Sequence, residues 1–404
     1  MPSTAPIPLP ATGLLLTGGG ARAAYQVGVL EAIAQLRRDA GASNDGNPFP
    51  IITGTSAGAI NAAALACGTD DFDATVRRIA EVWRDFRTDQ VYHADALGML
   101  DAMGRMRLLL GVGQLIAKWL RVRPRSLLDN RPLAGLLQRL VPLDRLPALM
   151  AGGHLQALAV TASSYSSGEH FTFFETARPM EPWVRSQRIA VASAVTHDHL
   201  MASSAIPFVF PATELPVHGH TEYFGDGSMR QSAPISPAIH LGAERVLVIG
   251  AGRLHEPPAD PGPNTMTGYP TLAQIAGHAM SSIFLDALAA DIERLRRINR
   301  TLTFIPPALR AQSHLRPVDL LVIAPSQRID VIAARHVGAL PGAVRRLFGV
   351  RAGGAGNDIK GAAFASYLLF DSAFTGELMA LGRADTLRQQ DEVRRFFGWA
   401  SAAP

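Results

Sequence analysis

Residues 48–66, PFPIITGTSAGAINAAALA, combine an apolar run, a turn of small residues and an Ala-rich segment. The apolar run predicts a buried strand over residues 49–53, and the Ala-rich segment predicts a helix from Ala57. An earlier apolar run over residues 13–17 stops at the glycines 18–20 and precedes apolar residues at helical spacing. Two strand-turn-helix units in succession predict an α/β fold, with a parallel sheet and crossover helices.

The rest of the chain adds strands and helices to this start. Further strands are predicted over residues 155–162, 170–174, 245–250 and 319–324, and two short strands around 218–220. A long amphipathic helix is predicted over residues 271–299. We expect one domain over residues 10–330, with a helical insertion over 72–150, and a largely helical region over 331–404 packed on it.

Composition excludes several classes of protein. Of the 404 residues, 48% are hydrophobic and 18% are charged, which is typical of a globular chain and excludes general disorder. The 38 basic and 34 acidic residues leave a net charge of +4, too little to indicate nucleic-acid binding. The one cysteine, Cys67, excludes an intramolecular disulfide. No basic residue precedes the first apolar run, and no window is apolar enough to span a membrane, so we expect a cytoplasmic protein.

The segment GTSAG at residues 54–58 matches the G-x-S-x-G pattern between a predicted strand and a predicted helix. In that context the small neighbours allow a sharp turn that presents the Ser56 hydroxyl at a helix N-terminus. Ser56 is therefore a candidate nucleophile, which needs a base and donors for an oxyanion. The alternative is an ordinary turn in which Ser56 caps the helix.

The glycines 18–20 form a second candidate element, because Gly allows backbone N–H groups to point at an anion beside a helix N-terminus. Parallel strands end at one sheet edge, so this loop and Ser56 are expected to lie together. With Ala23, the loop also fits the G-x-G-x-x-[GA] pattern of dinucleotide-binding oxidoreductases. That alternative expects an acidic residue at the end of the second strand, where residues 53–56 have none. A turn that binds nothing is the third interpretation.

The base is less clearly indicated. The pairs His197/His199 and His218/His220 suggest metal ligands, but no third or fourth ligand accompanies them, so we interpret them as solvated loop or hairpin-tip residues. Asp226 lies in a Gly-flanked turn after an aromatic strand, where it is either a base or the acid of an Asx turn.

Together, these residues resemble the patatin-like phospholipase family. The loop GGGARAAYQVGVL, the elbow GTSAG and the late Asp-Gly turn occur in that family's order. The resemblance implies a three-layer α/β/α fold and a lipid acyl hydrolase that needs no cofactor or metal. It implies Ser56 as nucleophile, Asp226 as base, and the N–H groups of Gly18, Gly19 and Gly20 as the oxyanion hole. The residues that support these motifs are Arg22, Gly54, Gly58 and Gly227.

The sequence departs from the family pattern at two positions. Ala23 replaces a glycine, which suits the first turn of a helix. Ser228 follows Asp226-Gly227, and its hydroxyl is expected to lower the basicity of Asp226. A protein that keeps the scaffold for lipid or partner binding, with negligible turnover, is the alternative function.

Residues 97–125 form a basic segment with Met and Leu at helical spacing. Six basic residues against Asp101 give it a charge of +5, which suits contact with an anionic membrane surface. A core-packed helix with a solvated basic face is the alternative, and the oligomeric state is left open.

Overall fold

The strands form a single sheet in the computed structural model, which describes residues 11–94, 126–252, 272–310, 312, 315–347 and 359–399. The ten strands of this part of the chain are β1 (Thr12–Leu16), β2 (Ile51–Thr55), β3 (Ala157–Ser164), β4 (His170–Thr176), β5 (Val184–Arg185), β6 (Arg188–Ala192), β7 (Thr213–Val217), β8 (His220–Asp226), β9 (Arg245–Ile249) and β10 (Asp319–Ile323).

Helices cover the sheet. They are α1 (Ala24–Asp39), α2 (Ala57–Ala66), α3 (Phe72–Arg84), α4 (Arg131–Leu140), α5 (Leu146–Ala151), α6 (His197–Ser203), α7 (Ser236–His240), α8 (Leu272–Thr303), α9 (Pro307–Arg310), α10 (Ile329–His336), α11 (Gly342–Leu347), α12 (Ile359–Leu368), α13 (Ser372–Arg388) and α14 (Gln390–Phe397). None of the helices in the described ranges has both the length and the apolar character that crossing a bilayer requires.

The sheet is mainly parallel, as predicted. The strand order is β10-β9-β1-β2-β3-β4-β6-β5, and β8 pairs with both β3 and β7. The first five strands of this order run parallel to one another, whereas β4 and β8 run antiparallel to β3. The carboxyl ends of β1 and β2 therefore lie at the same edge of the sheet.

Alternating side chains build a core on each face of the sheet. On β1, Leu14 and Leu16 pack into the cluster that includes α1 and α2, whereas Leu15 packs into the cluster that includes α7 and α8. On β2, Ile52 packs into the first of these clusters and Ile51 packs into the second. Because these strands are buried on both faces, their sequences are continuous apolar runs without polar alternation. This is the predicted three-layer α/β/α arrangement.

The C-terminal region is helical, as predicted, and its helix α13 lies directly against α1. A Cβ atom on Gly28 would be 1.9 Å from the Met379 backbone oxygen, and a Cβ atom on Gly382 would be 2.2 Å from the Tyr25 oxygen. The Tyr25 hydroxyl also donates to the buried Asp385 carboxylate at 3.0 Å. The two helices approach so closely because glycine is present at both points of contact.

Two local interpretations of the sequence were incomplete. Strands β5 and β6 were not predicted, since they are short strands at the sheet edge with exposed residues between their apolar ones. His197 and His199 lie in helix α6 rather than in a loop, and His199 is buried against the Phe173 ring at 4.4 Å. The segment 97–125 and the Gly-rich stretch 353–356 lie outside the described residues.

Close packing of α1 on α13 yields a stability prediction with a control in the same helix. We expect Gly382→Ala to lower the free energy of unfolding by about 2 kcal/mol or more, because the new methyl group would collide with backbone. Gly376, also on α13, has no neighbouring atom within 4 Å of the place that a Cβ atom would take. There, Gly376→Ala is expected to raise stability by up to about 1 kcal/mol through helix propensity. Denaturant unfolding of both variants checks this, and an equal response of the two would contradict it.

Candidate active site

The pairing of β3 brings Ser56 and Asp226 together. β2 ends at Thr55, whose partner on β3 is Thr161. The next residue of β3, Ala162, pairs instead with Asp226 at the end of β8. Ser56 and Asp226 are therefore adjacent along one edge of β3, although 170 positions separate them in the chain.

Ser56 occupies a strained turn between β2 and α2. Its backbone has φ 57° and ψ −133°, an unusual conformation for a residue other than glycine. Its N–H donates to the Ser203 hydroxyl at 2.8 Å. Cβ atoms on Gly54 and Gly58 would lie 2.5 Å and 2.3 Å from backbone oxygens, so the turn requires glycine at both positions. As the N-cap of α2, Ser56 lies at the positive end of the helix dipole.

Asp226 is fully buried, and its two carboxyl oxygens differ. Oδ1 accepts the Ser228 N–H at 2.9 Å, whereas Oδ2 accepts no hydrogen bond from the described residues. The backbone N–H of Asp226 donates to the Ala205 oxygen at 3.0 Å, which fixes the position of the residue. The carboxyl group is therefore held in place with one oxygen free.

Burial raises the pKa of Asp226 to about 6, against smaller lowering contributions from the Ser56 hydroxyl and from the N–H and hydroxyl of Ser228. The Ser228 hydroxyl thus acts in the expected direction, but burial outweighs it. Ser56 and Asp226 interact without forming a hydrogen bond of standard geometry. Catalytic hydrogen bonds are often long in free enzymes and shorten when substrate binds.

The glycine loop supplies free donors beside Ser56. The N–H groups of Gly18, Gly19 and Gly20 donate to no group in the described part of the chain. Gly20 has φ +54° and lines the same cavity as Ser56. Unpaired N–H groups at this point can stabilise negative charge on a bound oxygen.

Arg22 connects this loop to the C-terminal helix α12. Its Nε donates to the Ser366 hydroxyl at 2.6 Å, one of its terminal nitrogens donates to the Ala363 oxygen at 2.9 Å, and its guanidinium lies 4.0 Å from the Tyr367 ring centre. Arg22 is buried, so its guanidinium group interacts with α12 and not with solvent. A Cβ atom on Gly20 would be 2.2 Å from the Tyr367 oxygen, so α12 also sets the shape of the glycine turn.

A mostly apolar cavity of about 450 Å³ begins at Ser56, Ala57 and Gly20 and extends between α2, α3 and α4. One face of α2 forms its floor through Ile60 and Ala64, and Cys67, at the C-cap of the helix, continues it. The remaining apolar lining residues are Ile79, Val82, Trp83, Phe86, Val91, Leu133, Leu136, Leu137, Leu140, Val141, Pro142, Ile206, Phe210 and Phe370. Such a lining suits a hydrocarbon chain.

Other groups do not form a competing site in the part of the chain that the structure describes. It contains no cluster of three or more His, Cys, Asp or Glu side chains that could hold a metal ion. His197 contacts the Val141 oxygen at 2.9 Å, and Nδ1 of His199 accepts the Thr196 N–H at 3.0 Å. Both histidines therefore have structural partners.

The structure places Ser56 beside Asp226 and places Ser56 and Gly20 on one cavity, and it adds residues that the sequence did not indicate. Ser203 contacts the Ser56 backbone, and Phe370 reaches the cavity from the C-terminal region. The sequence signals near Ser203 are the capping residue Thr196 and the helix end before Pro207, and neither indicates contact with Ser56.

Comparison with known proteins identifies a family. A family model described as patatin-like phospholipase matches residues 14–239. No curated protein matches the chain.

Among solved structures, the chain is similar to VipD from Legionella pneumophila, with 13% identity, TM-score 0.33, and coverage of 95% of this chain and 67% of VipD. It is similar to human GIVD cytosolic phospholipase A2 bound to a methyl gamma-linolenyl fluorophosphonate inhibitor, with 13% identity, TM-score 0.38, and coverage of 96% of this chain and 59% of that one. The chain is also similar to the type III effector protein ExoU, with 15% identity, TM-score 0.27, and coverage of 98% of this chain and 90% of ExoU.

The burial of Asp226 leads to a prediction about stability. A raised pKa in the folded state means that ionisation destabilises the fold, so this group's contribution falls as pH rises from about 4 to about 6. Asp226→Asn keeps an acceptor for the Ser228 N–H and removes the charge. We expect it to raise the free energy of unfolding at pH 8, by up to about 3 kcal/mol.

Urea unfolding of wild type and variant at pH 4 and pH 8 measures this effect, and the difference should be larger at pH 8. Asp89→Asn, at a side chain that is 65% exposed, is the control and should change stability by less than about 0.5 kcal/mol at either pH. A variant less stable than wild type at pH 8 would contradict the argument.

Proposed function

Because the chain belongs to the patatin-like phospholipase family, we propose that it hydrolyses carboxylic esters of phospholipids or acylglycerols through a dyad of Ser56 and Asp226. The observation that carries this proposal is the buried Asp226, with a pKa of about 6 and one free oxygen, beside a strained serine at a helix N-terminus. A carboxylate with this pKa is ionised at neutral pH and is more basic than an exposed one.

In the first step, the Ser56 hydroxyl attacks the ester carbonyl while Asp226 accepts its proton. The carbonyl oxygen becomes an oxyanion, which the N–H groups of Gly18, Gly19 and Gly20 stabilise. When the C–O bond of the ester breaks, Asp226 returns the proton to the departing alcohol oxygen. The products of this step are a free alcohol and an acyl-Ser56 ester.

In the second step, a water molecule attacks the acyl carbonyl while Asp226 accepts a proton from it. The same donors stabilise the second oxyanion, and its collapse breaks the bond to the Ser56 oxygen, which recovers its proton from Asp226. A fatty acid leaves, and the dyad is restored. A carboxylate can fill this role in both steps because one of its oxygens accepts no other hydrogen bond and its burial keeps it basic.

The cavity supports an ester with a long acyl chain as the substrate. From Ser56 to Cys67, the floor formed by α2 is about 16 Å long at 1.5 Å per residue. This length is close to half of the ~30 Å hydrocarbon core of a bilayer, which is the depth of one leaflet. The cavity therefore fits the acyl chain of a membrane lipid, with its ester at Ser56.

The dyad predicts a specific pattern of lost activity and labelling. We expect Ser56→Ala and Asp226→Asn each to lower kcat for a fatty-acyl ester by at least about 10³-fold while both variants remain folded. A fluorophosphonate probe should label wild type at Ser56, with mass spectrometry locating the adduct. Wild-type kcat/KM should rise with pH to a plateau above about 6, because Asp226 must be ionised to accept a proton.

Ser204→Ala is the matched control, since Ser204 is a second serine of the same cavity and its hydroxyl donates to the Leu200 oxygen at 2.8 Å. That variant should keep both labelling and activity. Absence of labelling and turnover in wild type would favour the alternative, a lipid- or partner-binding protein on this scaffold.

The acyl cavity predicts a change in chain-length preference. Ala64 lies two helical turns beyond Ala57 on the floor of the cavity, so Ala64→Phe would block the far half. We expect kcat/KM for a long-chain ester to fall at least about tenfold, because several methylene groups lose their burial. Hydrolysis of a butyryl ester should be unchanged, and Ala64→Val should give an intermediate result. Equal losses on both esters would show that the substitution damages the dyad instead.

A further inference from the structure

Phe208 is exposed and strained. Its side chain is 79% exposed, the largest fraction among the exposed large hydrophobic residues of the described chain. Its φ is +65°, in a region that bulky residues rarely adopt. A strained backbone that holds an aromatic ring in solvent has a cost without a folding benefit, and such strain is found mainly at functional positions.

The turn that carries Phe208 is firmly held. The carbonyl oxygens of Phe208 and Val209 accept the N–H groups of Leu127 and Leu128 at 3.0 Å and 2.9 Å. Within the turn, the Phe210 N–H donates to the Ile206 oxygen at 2.9 Å. The exposure of Phe208 is thus a fixed feature of the fold rather than the end of a loose loop.

This turn contributes two residues to the wall of the cavity. Ile206 and Phe210, two positions either side of Phe208, both line the cavity that begins at Ser56. Ala205 binds the backbone N–H of Asp226 at 3.0 Å. The exposed ring therefore projects from a turn whose neighbouring residues reach both the cavity and Asp226.

The same sheet edge exposes two further aromatic rings. Tyr165 follows β3 and is 47% exposed, and its N–H donates to the oxygen of Tyr223, which lies in the middle of β8 and is 50% exposed. The Tyr165 ring packs on Gly225, where a Cβ atom would be 2.3 Å from its hydroxyl oxygen. Phe and Tyr at one edge are typical of surfaces that meet the boundary between water and lipid.

We propose that Phe208 is an interfacial anchor, which inserts into the surface of the lipid aggregate that supplies the substrate. The proposal rests on the function proposed above, because a lipid surface is the occupant that an acyl cavity beside the ring requires. An apolar ring at the entrance holds the cavity against the bilayer, so that an acyl chain passes from lipid to cavity with little exposure to water. The anchor is apolar, so it needs no anionic lipid, unlike the contact predicted for residues 97–125.

The chain offers a matched control at the other end of the sheet. Phe304 is 76% exposed and directly follows α8, whose Asn299 donates to the oxygen of Val318, the residue before β10. Because β10 begins at that edge, Phe304 lies far from the carboxyl ends of β1 and β2, where the dyad lies. Phe208→Ala and Phe304→Ala remove the same ring from nearly the same exposure.

Binding and turnover are measured separately. Each Phe variant is made with and without Ser56→Ala, and binding of the inactive forms to phosphatidylcholine vesicles is measured by flotation. We expect Phe208→Ala to weaken this binding about tenfold or more, the loss corresponding to one buried aromatic side chain. Hydrolysis of vesicle lipid should fall by a similar factor, and hydrolysis of a soluble butyryl ester should be unchanged. Phe304→Ala should alter none of these values.

Phe208→Gly guards against misfolding as an explanation. Glycine adopts φ +65° without strain, so this variant should unfold at the same temperature as wild type or higher, yet lose vesicle binding. Unchanged vesicle binding by both Phe208 variants, or binding that vanishes in pure phosphatidylcholine and needs phosphatidylserine, would overturn the proposal. Phe208-dependent binding by a wild-type protein that cleaves no ester would instead overturn the proposed function alone.

Discussion

Strand β3 pairs with β2 as far as Thr161 and then continues for three more residues. Strand β8 pairs with these three residues on the side that β2 has left. In such a pairing the register fixes which residues lie opposite one another, and a slip of one residue would move every side chain of the strand to the other face. The last residue of β8 must therefore lie next to the residue that follows β2. A serine at a sharp turn and a carboxylate at a strand end become neighbours through the register of a sheet, with no loop of adjustable length between them.

The same constraint explains why the site is costly to fold and rigid once formed. Asp226 lies deep in the sheet, so water cannot solvate its charge, and its pKa rises to about 6. Ser56 adopts an unfavourable backbone conformation that Gly54 and Gly58 make room for. Buried hydrogen bonds next to the turn offset these costs. One of them joins the Thr55 and Thr161 hydroxyls at 2.7 Å. Stability given up at a reactive site is balanced in this way by satisfied polar groups around it.

The sequence was informative where structure is encoded locally. Apolar runs ending in glycine predicted β1 and β2, and the elbow pattern identified Ser56, because turn chemistry and periodicity act over a few residues. Asp226 could not be distinguished from a turn residue by its neighbours alone; the family resemblance singled it out. Strands β5 and β6 and helix α6 were missed because they have only 2, 5 and 7 residues, too few for a clear periodic pattern. The contact of Ser203 with Ser56 was missed because contacts between distant segments leave no periodic trace. The hydrogen bond from Arg22 to Ser366, which joins residues 344 positions apart, is another such contact.

The hydrogen bond between Arg22 and Ser366 shows that the candidate site depends on the C-terminal region. The family model ends at residue 239, yet the glycine loop is shaped by Tyr367 and bonded through Arg22 to Ser366. The Tyr92 hydroxyl donates to the Leu368 oxygen at 2.9 Å, and Phe370 then closes part of the cavity. Oxyanion donors work only when their orientation is fixed before the reaction. Residues 363–367 hold the glycine loop in this structure, so the helical C-terminal region is a structural part of the candidate site, and the segment 14–239 alone would lack the support for the donors proposed above.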